Sequence, residues 1–238
     1  MALSKRTIAG LIGRSARHRC ADKEVCVKIV AIANLPSRFG KFQVVAFQNN
    51  LDGKDHSAFV HGDVIGKENV LVRLHSECLT GDAIGSLRCD CRAQLEAALK
   101  KIGGAREGML IYMRQEGRGI GFTNKIRAYQ LQDSGYDTFE ANEALGFKAD
   151  QRDYEIAAHI LRSLKVKSIK LMSNNPAKIL DLKRHGIRIT ARIPLVTRPN
   201  KYDRFYLETK RTKGGQLLDS HKIEYFLEQH DAPDANRE

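Results

Sequence analysis

Three of the chain's five cysteines, Cys78, Cys89 and Cys91, fall within fourteen residues in the spacing C-x10-C-x-C. No export-signal pattern and no run of about 18 apolar residues is present. The expected setting is therefore a reducing compartment, where clustered cysteines serve metals or catalysis more often than disulfides. C-x10-C-x-C is not the C-x2-C pair of zinc knuckles and ribbons. Three thiolates without an evident fourth ligand make an open zinc site, with one position left for water. A closed structural site needs one more donor, for which His75 is the nearest candidate, and three buried structural cysteines are the plain alternative. A helix expected from about Arg92 places its N-terminal amides beside Cys89 and Cys91, which favours thiolate. Zinc brings the pKa of its water near neutrality, so the chemistry that fits is hydrolytic. Cys20 and Cys26 lie far upstream and are expected to be inert thiols.

The remaining candidates are groups for an anion. Lys and Arg number 40 against 28 Asp and Glu, a formal charge of +12, which calls for an anionic partner without choosing among nucleic acid, an acidic surface and a phosphorylated substrate. Arg114-Gln115-Glu116-Gly117-Arg118-Gly119-Ile120-Gly121 joins an apolar run to a helical pattern, so its amides and Arg118 could cradle phosphate. A merely flexible turn has the same composition. In Ser173-Asn174-Asn175-Pro176 and the helix after it, Lys178 stands in the first helical turn, where a lysine opposes the dipole unless an anion is bound or its stem lies on the surface. Arg73, Glu77, Gln94 and Glu116 flank the cysteine strand or the glycine loop, and a carboxylate beside guanine could accept from N1–H and the 2-amino group together. Asp150 reads first as the N-cap of the next helix.

These residues need elements to hold them. Val70 to Leu74, Met109 to Met113 and Ile169 to Met172 have strand length and apolarity. Leu95, Ala98, Leu99 and Ile102 follow helical spacing up to Gly103-Gly104, as do Ile156, Ile160, Leu161 and Leu164, then Ile179 and Leu182 up to Gly186. Alternation of this kind predicts an α/β fold, a three-layer sandwich with a mixed sheet and helices on both faces. The expected organisation is a basic, flexible extension over 1–24, a catalytic domain over 25–220 and a tail over 221–238 with a short amphipathic segment around Ile223, Phe226 and Leu227. The extension, basic and without acidic residues up to position 21, reads as solvated chain, with an organellar presequence as the sharper alternative.

Four segments, RLHSECLTGDAIGSLRCDC, RQEGRGIGFTNKIRAYQLQDSGYDTFEANEALGF, DQRDY and SNNPAKI, occur in an order and spacing that resemble GTP cyclohydrolase II, the zinc enzyme that opens riboflavin synthesis. The resemblance implies one catalytic Zn2+ per chain on Cys78, Cys89 and Cys91, and cleavage of GTP at purine C8 to a diaminopyrimidine phosphate, formate and pyrophosphate. It implies nucleotide contacts from Arg73, Glu77, Gln94, Glu116, Gly117, Arg118, Thr138, Ser173 and Lys178, with Mg2+ on the triphosphate. Tyr129 matches a tyrosine beside the zinc-bound water, and Asp150 and Arg152 match the proposed proton acceptor and nucleophile for pyrophosphate release. A guanidinium resists deprotonation, so Arg152 fits a charge clamp on the α-phosphate more readily than an attacking group. Arg92 and Ser173 stand where the family usually has glycine and threonine, and neither change removes a chemical group.

A cytoplasmic homodimer acting on a small molecule, with no nucleic acid and no membrane, is the expectation. Two other readings compete. One is a specialised paralogue that makes another GTP-derived metabolite or stops at the formylated intermediate. The other is a zinc-stabilised nucleic-acid-binding protein, against which stand a 7% aromatic content without Trp and the lack of a recognition-helix or stacking motif. The basic stretch Lys201, Arg204, Lys210, Arg211 and Lys213 is assigned to drawing in the nucleotide and to the solvated surface.

Overall fold

A computed structural model describes residues 2–18, 24–197, 200–213, 215 and 217. Cys20 and the amphipathic segment around Ile223, Phe226 and Leu227 lie outside them. One seven-stranded sheet runs β1-β2-β3-β5-β4-β6-β7, built from β1 (Val27–Ser37), β2 (Gly40–Asn49), β3 (His56–His61), β4 (Val70–Ser76), β5 (Gly108–Met113), β6 (Ile169–Met172) and β7 (Ile189–Ile193). Pairing is antiparallel from β1 through β5 and parallel along β5-β4-β6-β7, so the sheet is mixed, as the alternation predicts.

Residue alternation along the strands assigns the two faces. Met109, Ile111 and Met113 of β5 pack on one side with α1 (Lys5–Arg17), α6 (Glu155–Ser163) and α7 (Pro176–Arg184), whose Leu11, Ile160 and Leu182 are buried there. Leu110 faces the other side, against Ala98 and Ile102 of α3 (Cys91–Gly103). Helices thus cover both faces and the fold is a three-layer α/β sandwich.

The first helix corrects the expectation for the N-terminal segment. Ser4 caps α1 by accepting from the Thr7 amide at 3.1 Å, and Ser15 Oγ accepts from the Ile29 amide at 2.6 Å. Ile8, Leu11 and Ile12 form an i, i+3, i+4 stripe between the arginines that packs on the sheet core. The high positive charge of this stretch hides that stripe from a composition reading. Cys26, expected as an inert thiol, is disulfide-bonded.

What the topology supplies to a site is a row of loops. Strands β5, β4 and β6 are adjacent and parallel, and their C-terminal ends at Met113, Ser76 and Met172 lead into the glycine loop, the cysteine loop and Ser173-Asn174-Asn175. Open α/β sheets bind ligands beyond these strand ends. Among the described residues, no helix is long and apolar enough to cross a membrane.

Candidate active site

At the end of β4 the chain turns into the short α2 (Leu79–Asp82), and Cys78 sits at its N-cap, while Cys91 is the first residue of α3. The three sulfurs lie within 4.8 Å of one another, with Cys78 Sγ and Cys89 Sγ 3.7 Å apart. Zn–S bonds of about 2.3 Å in a tetrahedron need sulfurs about 3.8 Å apart, so this spacing fits the ion. Space for it depends on Gly81: a Cβ there would stand 2.9 Å from Cys89 Sγ, 2.9 Å from Cys91 Cβ and 3.1 Å from Cys78 Sγ. Without a cation the three thiols share charge. Hydrogen bonds from Cys89 and Cys91 hold Cys78 far below the ordinary thiol range, and donating to Cys78 pushes Cys89 up to about 11 and Cys91 well above its usual value. A metal that displaced those protons would relieve the frustration.

His75 is not part of this trio. Its Nε2 lies 3.0 Å from both oxygens of Asp82, and the ring stacks on Tyr112 at 5.4 Å between centroids. Alternation along β4 turns it toward α2, whose Asp82 also accepts from the Cys78 amide at 3.0 Å and from the Tyr112 hydroxyl at 2.8 Å. Asp82 thereby fixes the backbone that carries Cys78.

A second group of side chains gathers positive charge. Arg73, on β4, donates to the Met172 carbonyl at 2.9 Å and to Gln94 Oε1 at 2.5 Å; burial lowers its pKa to about 10, which leaves it charged at neutrality. Gln94 in turn donates to Asp90, which accepts from Lys210 at 2.7 Å. Lys178 is buried with its Nζ 3.0 Å from the Leu74 carbonyl, and burial, with Arg73 and Arg152 nearby, pushes its pKa well down. Arg118 stacks on Phe139 at 4.3 Å and adopts φ +62 beside Gly117 at φ +63. Two successive left-handed residues cost backbone strain at the non-glycine position, and such strain concentrates at functional loops.

Arg152 lies between these groups. Its Nε donates to Asp150 Oδ1 at 2.8 Å and its Nη2 to Asp150 Oδ2, a bidentate pair that leaves Nη1 outside the fork. Asp150 is therefore not an N-cap: α6 begins at Glu155 behind Tyr154, and the carboxylate turns back to the Arg152 amide at 3.0 Å instead. Burial alone would raise the Asp150 pKa, but Arg152 holds it below the carboxylate range. Gln151 donates its amide to the Arg118 carbonyl at 3.0 Å, which ties this segment to the glycine loop.

One cleft, about 1120 Å³ counting its open side, is lined by Arg73, Glu77, Gln94, Glu116, Gly117 and Arg118, by the three cysteines and Tyr129, and by Thr138, Arg152, Ser173 and Lys178. Asp150 stands behind Arg152 and is the one candidate not on the wall. Glu116 is occupied by protein: Oε2 accepts from the Leu79 amide at 2.6 Å, and Oε1 from the Gly117 amide at 3.0 Å and Lys125 Nζ at 2.8 Å. Burial raises the pKa of Glu77, which keeps only a 3.7 Å ion pair to Arg114. Arg92 projects to Glu96 at 3.0 Å on the exposed side of α3, with its guanidinium against Gly85 of the cysteine loop. The helix cap at Asn175, not Ser173, starts α7; Ser173 Oγ accepts from the Asn175 amide at 3.1 Å.

Sequence reasoning missed Lys125, Asp82, Tyr206 and the site position of Lys210. Lys210 is buried against Asp90 and lines the cleft, contrary to its assignment to the solvated surface. Lys125 carried a usable signal, since it stands early in α4 (Phe122–Asp133), where a lysine opposes the helix dipole just as Lys178 does.

Residues 28–194 match the family described as GTP cyclohydrolase II. A GTP cyclohydrolase-2 of Picrophilus torridus is 56% identical over 192 residues, covering 81% of this chain and 100% of that protein. One from Aeromonas hydrophila is 57% identical over 187 residues, 79% of this chain and 95% of its own. The riboflavin biosynthesis protein RibBA of Synechocystis is 51% identical over 215 residues, 89% of this chain and 38% of its own length.

Proposed function

The chain belongs to the GTP cyclohydrolase II family, and from that premise we propose that its cleft converts GTP to a diaminopyrimidine phosphate, formate and pyrophosphate, the entry step of riboflavin biosynthesis. The observation that carries this is one cleft holding a thiol trio of zinc dimensions together with Arg73, Arg118, Arg152 and Lys178. Cys78, Cys89 and Cys91 would hold zinc, which when bound would supply the Lewis acidity for hydrolysis at purine C8.

The chain's own groups do the rest. Arg118, Arg152 and Lys178 bind the triphosphate, and Mg2+ arrives with it. Arg152 acts as a charge clamp on the α-phosphate, held in place by Asp150. Glu77, held by protein through the 3.7 Å pair to Arg114, has the carboxylate suited to the guanine edge. Gln94 and Arg73 brace one another at 2.5 Å and orient the nucleotide between the two ends. Thr138, at the start of α5 (Thr138–Ala144), and Ser173 add hydroxyls to the wall. Tyr129 keeps its phenolic proton, since burial raises its pKa, and its hydroxyl lies 3.3 Å from Thr80 Oγ1 beside the thiols, placed to pass a proton there. Residues 25–220 carry the catalytic groups in this reading, and α1 packs on the same sheet core. A homodimer, as the family resemblance implies, is part of this reading.

The test is to incubate the zinc-loaded protein with GTP and Mg2+ and identify products by mass spectrometry, scoring formate and pyrophosphate in one tube. All three products support the proposal. A product that keeps the formyl group identifies an arrested paralogue, and unchanged GTP refutes the assignment.

A further inference from the structure

One buried lysine of the cleft contacts more than a carboxylate. Lys125 Nζ lies 3.1 Å from Cys78 Sγ, 2.9 Å from Thr80 Oγ1 and 2.8 Å from Glu116 Oε1, with its side chain 9% exposed. All three partners are acceptors, so each of the three ammonium protons has one. Glu116 then reaches the Leu79 amide at 2.6 Å, the backbone group immediately after Cys78, and Thr80 reaches the Tyr129 hydroxyl at 3.3 Å. The same ammonium sits 5.6 Å from the centroid of the Tyr129 ring. Cys78 is therefore gripped at its sulfur by Lys125, at its own amide by Asp82, and at the following amide by Glu116.

We propose that Lys125 is a positioning residue and counter-cation of the three-cysteine metal centre, setting the charge on the Cys78 sulfur and linking it to Tyr129 and the glycine loop. This rests on the metal reading of the cysteines. Three thiolates on a divalent ion leave one surplus negative charge, and electron-rich sulfur weakens the ion as a Lewis acid. A charge-assisted hydrogen bond from an ammonium draws density off one sulfur and offsets part of the surplus, the same ammonium being shared with Glu116. The neighbours agree with a charged group there: Glu116 Oε1 lies 2.8 Å and Thr80 Oγ1 2.9 Å from the same nitrogen. Lysine at this place in α4 also faces the unfavourable end of the helix dipole, a cost that the thiolate and Glu116 offset.

The test uses Co2+ as a spectroscopic probe and Zn2+ competition against a chromophoric chelator on the full chain. Wild type should give a thiolate-to-cobalt charge-transfer band. In Lys125→Met the band should move to lower energy, because a sulfur without its donor gives up charge more easily. Metal affinity should fall about 10- to 100-fold, the usual effect of removing a partner that supports a ligand. Lys125→Arg should recover most of both, and Lys125→Gln, which keeps a donor without the charge, should recover less. Should Lys125→Met fail to fold, the Gln variant carries the comparison. A wild-type band that neither the Met nor the Gln variant moves, with unchanged affinity, overturns the role of Lys125 alone. Absence of a thiolate band in wild type overturns the metal reading and this inference with it.

Discussion

Gly81→Ala separates the metal site from the fold around it. The added Cβ would stand 2.9 Å from Cys89 Sγ and 2.9 Å from Cys91 Cβ, roughly 0.6 Å inside the shortest comfortable separation of about 3.5 Å. Relieving a clash of this size costs about 1–3 kcal/mol in a packed interior. In the metal-free protein the Cys89 and Cys78 sulfurs can rotate away, and alanine returns up to about 1 kcal/mol of helix propensity to α2, which offsets the contact that remains with Cys91 Cβ. With metal bound the sulfurs are fixed at about 2.3 Å from the ion and have nowhere to go. The sulfur part of the strain therefore falls on metal affinity, which should drop about 5- to 140-fold at 1.4 kcal/mol per decade, while the apo protein feels only the Cys91 Cβ contact and its melting temperature falls less than that of the metal-bound form. Gly104→Ala is the control, since its Cβ would meet only the Lys100 carbonyl at 3.5 Å. Zinc competition and bound-metal content read the result. Zinc affinity of Gly81→Ala within twofold of wild type would refute the account of why glycine is needed there.

Other expectations follow from the cations and their partners. Arg152→Lys keeps charge but loses the fork to Asp150, so kcat should fall about 10²–10³-fold with little change in KM; steady-state kinetics with pyrophosphate detection checks it, and a KM effect alone would contradict it. Because burial and neighbouring cations depress the Lys178 pKa, the free protein holds this group partly or wholly neutral above that value, and a bound polyanion restores the charge. GTP binding should then take up a proton, visible as a calorimetric heat that varies with buffer ionisation enthalpy and loses that component in Lys178→Met. Asp90→Asn strands the buried Lys210, at a cost of about 3–5 kcal/mol in denaturant melts near neutrality. Burial alone would raise the Asp90 pKa, but Lys210 holds it below the carboxylate range. Its contribution is thus complete above the unfolded value of about 3.9 and is lost as pH falls through the lower folded value, so wild type and variant should converge in strong acid.

Local patterns made part of this molecule legible. β4, β5 and β6 are short apolar runs, and runs of that kind are visible in one dimension. The cysteines and Lys178 stand out because each breaks a local pattern: three thiols within fourteen residues, or a cation at the wrong end of a helix. What stayed hidden depends on distance in sequence. Lys125 meets Cys78 across 47 positions and Lys210 meets Asp90 across 120, and nothing in the spacing of a lysine announces a partner so remote. Asp150 was misread for a related reason. An aspartate before a helical pattern has the chemistry of a cap, and only the three-dimensional turn shows it spending both oxygens on Arg152.

The distribution of carboxylates over the buried cations divides their work. Asp150 neutralises Arg152, Glu116 neutralises Lys125 and Asp90 neutralises Lys210. Arg73, Arg118 and Lys178 have no carboxylate within ion-pairing distance among the described residues; they make do with carbonyl oxygens, Gln94 and aromatic faces. Buried charge without a counter-ion is costly, and a triphosphate is the counter-ion that would make these three favourable. Arg152 bridges the two sets, since its fork to Asp150 leaves Nη1 for phosphate. Burial works against its charge, yet Tyr154 and Asp150 raise its pKa above the ordinary value. Deprotonating even an ordinary guanidinium at pH 7 costs about 7.5 kcal/mol, at 1.36 kcal/mol per unit of pKa above the pH. An attack by Arg152 on phosphorus would carry that whole penalty, some five orders of magnitude in rate, whereas a clamp that stays charged carries none of it. The Asp150 pair makes sense as the device that keeps Arg152 a cation in a site already crowded with positive charge.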